Sequence, residues 1–225
     1  MALRLLLVFG FCVPLANCGD ITCNSNRQCR QTTMDCTDNE DCTINCSGSE
    51  SCEFGTINCP INGNCIVQCT NTQSCRGTTI NAQPDTSLDV TCSAGSSTDG
   101  EQADGACSIA IINGNTNTNM NIKCSAGSSC WGATIDGRYA SQLTMEDCET
   151  GYYTCYDITV WCPQNVKGNK RCIIQGDNSV GGEDDTNEWD IKLYAVNSWR
   201  DIEFQTPSKT GDYYGTMYCT TGILS

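Results

Sequence analysis

Past residue 20 the apolar positions return on two interleaved rhythms. Aliphatic side chains stand two places before a cysteine at Ile21, Ile44, Val67, Val90 and Ile122, and five places after one at Met34, Ile57, Ile80, Ile112, Ile135 and Val160. In the second set the preceding residue is polar at Thr33, Thr56, Thr79, Thr134 and Thr159. Alternation of this kind belongs to half-buried β-strands, with apolar side chains on one face and threonines on the other. The residues after the aliphatics, Asp35, Asn58, Asn81, Asn113 and Asp136, fall on the threonine face. Between the two strands of each unit lie short arcs of turn-forming residues such as SGSES, TNTQS and PINGN.

The rhythm has a period of 23, carried by Cys23, Cys46, Cys69 and Cys92 and continued past insertions by Cys124 and Cys148. A second cysteine follows each, at Cys29, Cys52, Cys75, Cys107, Cys130 and Cys155. Two strands and two tight arcs in 23 residues make one coil of a solenoid, whose coils stack in parallel about 4.8 Å apart. The expected fold is all-β: a disulfide-stapled parallel β-helix of six to seven coils over residues 19–182. Residues 183–225, where the cysteine pattern stops, read as an irregular last coil and a C-terminal cap that shields the sheet edge.

The cysteines pair most economically within a coil, first with second and third with fourth. Third and fourth cysteines appear together, as Cys36 with Cys42, Cys59 with Cys65 and Cys162 with Cys172, and vanish together. Where they vanish, Ala82, Gly114 or Gly137 faces Leu88, Met120 or Leu143, one small side chain and one large. Such a pair fills about the volume of a bridge in a packed interior. The rival scheme, bridges between stacked coils, leaves Cys162 and Cys172 without neighbours. Nine pairs are therefore expected: Cys23 with Cys29, Cys36 with Cys42, Cys46 with Cys52, Cys59 with Cys65, Cys69 with Cys75, Cys92 with Cys107, Cys124 with Cys130, Cys148 with Cys155, and Cys162 with Cys172. Cys18 and Cys219 are left over at opposite ends of the rod.

Composition narrows the setting. The segment 1–18 has a basic residue at Arg4, an apolar run from Leu5 to Leu15 and small residues near Ala16, the layout of a secretory signal peptide. No later stretch is long and apolar enough for a membrane span, so the mature protein is expected in the extracellular space. Twenty-one cysteines and no histidine fit disulfides better than zinc. A formal charge of −14 argues against nucleic acid and against polyanionic glycans unless cations bridge them.

The unit length, the paired strands and the Asx-ended second strand resemble the single-stranded right-handed parallel β-helix proteins, the pectin-lyase-like class, over about residues 18–182. That resemblance implies a bias toward carbohydrate. No catalytic signature accompanies it: the histidine motif of polygalacturonase-like members has no counterpart, and the acidic cluster and arginine of pectate-lyase-like members do not align. Cysteine-bridged coils with outward threonines also look like the insect antifreeze β-solenoids, whose coils are shorter.

Candidate chemistry is sparse. Trp131 and Tyr156 follow the second cysteine of adjacent coils and, with Tyr152 and Tyr153, form an aromatic edge suited to the apolar faces of sugar rings or to packing at the end of the rod. Glu183, Asp184, Asp185 and Asp190 are the one candidate calcium cluster, without EF-hand spacing. Arg30, Glu53 and Arg76 share a column and read as a surface charge ladder. Serine and cysteine nucleophiles lack a histidine partner, and no cofactor motif is present. The sequence thus points to a secreted, non-catalytic structural and binding module that meets glycan or a surface protein. A polysaccharide lyase or hydrolase is the alternative on the same rod, and an ice-binding protein the third.

Overall fold

The computed structural model describes residues 19–94, 105–148, 154–164, 171–175, 191–196, 202–205 and 216–220, the last two stretches by backbone alone. These residues form an all-β, disulfide-stapled parallel solenoid. One sheet, sheet A, contains β1 (Asp20–Cys23), β3 (Cys42–Cys46), β5 (Asn64–Cys69), β7 (Ser87–Cys92), β9 (Asn119–Cys124), β11 (Gln142–Glu146), β13 (Arg171–Gln175) and β15 (Ile202–Gln205). The facing sheet B contains β2 (Thr33–Asp35), β4 (Thr56–Asn58), β6 (Thr79–Asn81), β8 (Ile111–Asn113), β10 (Thr134–Asp136), β12 (Ile158–Trp161), β14 (Ile191–Val196) and β16 (Thr216–Thr220). Each strand pairs in parallel with the equivalent strand of the next turn, in register Ile21 to Ile44, Val67 to Val90 and Ile57 to Ile80. Both sheets continue past residue 182, because β14 to β16 add to the same stacks.

The core is the thin space between the sheets. Ile44, Val67, Val90, Ile122, Met145 and Ile174 make one fully buried column, and Ile57, Ile80, Ile112, Ile135 and Val160 face them from sheet B. Cystines close the coil at both sides. The structure joins Cys23–Cys29, Cys36–Cys42, Cys46–Cys52, Cys59–Cys65, Cys69–Cys75, Cys92–Cys107, Cys124–Cys130, Cys148–Cys155 and Cys162–Cys172, every one inside a single turn. Their Cα–Cα distances stay between 5.5 and 6.0 Å although the enclosed segments differ in length. Ala82 and Leu88, at the third and fourth positions of a turn that lacks that bridge, are both buried. So many cystines suit an oxidising environment. Among the described residues no helix is long and apolar enough to cross a membrane. Cys219 sits on β16 opposite Ala195, and Cys18 lies outside the described residues.

The arcs joining sheet A to sheet B also stack by hydrogen bonds. In each, every second residue takes a left-handed conformation, as at Glu50, Cys52 and Phe54 with φ of 53°, 57° and 53°. The N–H groups of these left-handed residues point in turn to the next coil, the previous coil and the next again. Cys52 donates to the Gln28 carbonyl at 3.0 Å and Phe54 to the Arg76 carbonyl at 2.8 Å. Left-handed backbone costs an L-residue roughly 1–2 kcal/mol; the paired carbonyls and the cystine at the middle position hold it there. Buried Ser51 and Ser74 close the turns by donating to the carbonyls three residues back, both at 2.6 Å.

Candidate binding surfaces

The outer face of sheet A carries a polar groove of about 360 Å3 that runs along the rod axis across β7, β9 and β11. Small-molecule sites occupy about 300–1,000 Å3. Its lining follows from register: Asp89, Asn121 and Thr144 form one row, and Ser87, Asn119 and Gln142 the next. Glu146 closes the far corner. The Oδ1 of Asn121 is shielded from solvent and receives no hydrogen bond. Gln142 Nε2 donates to the Thr144 hydroxyl at 3.1 Å. In the central row Asp89 is preceded by Ile66, half-buried on the outward side of β5, and Thr144 is followed by Ile173, which is buried. Nothing in a single-sequence reading marks these positions, since each is an ordinary outward strand residue until the turns are stacked.

Sheet B presents a flatter face. Thr56, Thr79, Ile111 and Thr134 stand in one row and Asn58, Asn81, Asn113 and Asp136 in the next. The amides form a ladder: Asn58 donates to Asp35 at 2.7 Å, Asn81 to Asn58 at 2.9 Å and Asn113 to Asn81 at 2.9 Å. Asp35 therefore continues the row. Asp136 instead takes a salt bridge from Arg138 at 2.6 Å. The row then becomes aromatic, with Trp161 and Tyr194 stacked at 4.2 Å and the Arg138 guanidinium 5.0 Å from the other face of Trp161. Both faces of that indole are occupied, so it is no platform for a sugar ring.

At the predicted aromatic edge, Trp131 and Tyr156 are half-buried on neighbouring turns, which Gly132 joins by donating to the Tyr156 carbonyl at 2.9 Å. The indole Nε1 of Trp131 is shielded and without an acceptor. Tyr152 and Tyr153 lie outside the described residues, as do Glu183, Asp184, Asp185 and Asp190 of the calcium candidate. Among the described residues, the sets of ligand-type side chains close enough to share an ion are Cys46, Cys69 and Cys75, and Cys124, Cys148 and Cys155. All six sulfurs are in disulfides and have no thiolate to offer.

The column of Arg30, Glu53 and Arg76 departs from the surface ladder expected. Glu53 is only 2 % exposed, with Arg30 Nε 2.7 Å and Arg76 3.4 Å from its carboxylate. A carboxylate so buried requires both partners. Glu50, one turn of the arc away, is paired with Arg27 at 2.7 Å, and that hydrogen bond pulls its pKa below the usual carboxylate value.

No protein-family model, curated protein or solved structure matches the chain.

Proposed function

We propose that the protein is a secreted, non-catalytic extracellular module that binds glycan. The observation that carries this reading is the groove on sheet A, polar across three turns and flanked by the outward, half-buried Ile66. Sugar rings present hydroxyls at their edges and C–H faces above and below, the same combination. The cystines and the leader-like segment 1–18 support secretion, and two parallel sheets of repeated strands support a place in the right-handed, pectin-lyase-like class. The chain's serine and threonine hydroxyls have no histidine partner, which favours a binding role over nucleophilic hydrolysis.

A screen of neutral, amino and acidic glycans, run with and without calcium, tests the proposal. Uncharged or cationic glycans bind without turnover, and Asn121→Ala weakens them about tenfold, the order of a lost buried hydrogen bond. Trp131→Ala asks whether the aromatic edge extends the site. Calcium-dependent cleavage of a polysaccharide would replace this reading with a lyase. The regular threonine and asparagine rows of sheet B favour ice as the remaining alternative, and thermal hysteresis that is lost in Thr79→Tyr, with no glycan bound, would establish it.

A further inference from the structure

We propose that the sheet A groove selects glycans built of hexosamine units with free amino groups, which approach as cations. This rests on the glycan-binding reading above and adds the charge of the ligand. The groove holds two carboxylates, Asp89 and Glu146, and no cationic side chain lines it. Among the described residues the Asp89 carboxylate has no ion-pair or hydrogen-bond partner. Lys123, which stands beside Glu146 on the strand lattice, holds its ammonium 2.7 Å from Asp147, and that bond raises its pKa. The nearest lysine is thus bonded to a carboxylate outside the lining and also lies in the field of Glu146, which leaves Asp89 as the groove carboxylate without a counter-charge.

Between the two acids the groove offers acceptors. These are the amide and hydroxyl oxygens of Asn119, Gln142 and Thr144, and an ammonium group brings three donors and no acceptor. Hydrogen bonds from such a cation to a carboxylate are about twice as strong as neutral ones. Asp89 and Glu146 stand two turns apart, about 12 Å between Cα positions on the strand lattice, so an extended chain spans both. The ligand is therefore an extended chain with its charges on separate rings. Half-buried Ile66, beside Asp89 on the outward side of the sheet, gives a ring face an apolar rest, which a bare polyamine would not use. A formal charge of −14 draws such a chain in and repels acidic polysaccharides.

Calorimetric titration of the intact, oxidised protein distinguishes the cases. Glucosamine oligosaccharides, their N-acetylated counterparts and uncharged gluco-oligosaccharides are compared at about 0.1 M and about 1 M salt, where screening lengths are about 10 and 3 Å. The free-amine chain binds about tenfold tighter than the acetylated one at the lower salt, and the advantage shrinks at the higher. Asp89→Asn and Glu146→Gln, which keep shape and remove charge, each bring the ratio of the two affinities toward one. Equal binding of acetylated and free-amine chains, or a preference kept by both variants, overturns the proposal and leaves the glycan reading standing. Failure of all three glycans to bind overturns the glycan reading itself.

Discussion

Gly77 shows how one residue is fixed by its neighbour one turn away. Its φ of 61° is matched in the same column by Gln31, Phe54 and Ile109 at 54°, 53° and 50°, so the backbone there does not by itself demand glycine. The Phe54 ring does, since a Cβ on Gly77 would sit 2.5 Å from Phe54 Cδ1. Gly77→Ala is expected to cost more than the ~1–2 kcal/mol of the left-handed penalty alone, because the ring must also be displaced. In a Phe54→Ala background the cost shrinks. Thermal melts of the two single variants and the double form the cycle, and strictly additive losses would show that the ring is not the obstacle. Glu50 makes a prediction about acid. Its folded pKa lies below the ordinary 4.5 because Arg27 donates to it, so its stabilisation is complete above about that pH and is lost as pH falls through the folded value. Melting temperature should decline from pH 5 to pH 3, less steeply in Glu50→Gln; an identical slope in the variant would assign the decline to other groups. Asp41, held low by the backbone N–H of Asn64, acts in the same direction.

At the scale of the element, strands were legible and arcs were not. The column Ile57, Ile80, Ile112 shows in the sequence because alternation and the 23-residue period place identical side chains on one buried face. The arcs hide their geometry: Glu50, Cys52 and Gln73 are not residues from which a left-handed backbone is read, and stacking and cystines, which act between distant positions, impose it. The groove was hidden for a related reason, since Asp89, Asn121 and Thr144 meet only when three turns are laid in register across the insertion that separates Asp89 from Asn121. The burial of Glu53 likewise needed side-chain positions, which its alternating column does not give. The exchange of a cystine for an alanine–leucine pair is directly testable. Cys65 stacks on Leu88, so Cys59→Ala with Cys65→Leu copies the next turn. Loop entropy sets the loss at about 2.4 kcal/mol for a seven-residue loop. Cys59→Ala alone should cost more, because it leaves both a void and a free thiol. Urea unfolding of the oxidised proteins decides it, and a double variant weaker than the single would mean that the two solutions are not interchangeable.

Across the whole molecule, the parallel stack makes each turn depend chiefly on the turns above and below, the condition of a one-dimensional array. That is why the two sheets keep their pairing from β7 to β9 although the connecting segment is much longer than its counterparts. Acidity is uneven along this array: Asp89 sits without an ion pair at the sheet A groove, whereas the arcs of the first three turns pair Glu50 and Glu53 with Arg27, Arg30 and Arg76. The staple at Cys92–Cys107 spans a separation of 15 residues where most span 6, yet its Cα atoms are 5.9 Å apart like the rest. Cargo length is thereby uncoupled from scaffold pitch. Foreign peptides grafted between those two cysteines would be displayed from a rigid shaft whose remaining rungs have no need to adjust, which makes this position a natural port for engineering.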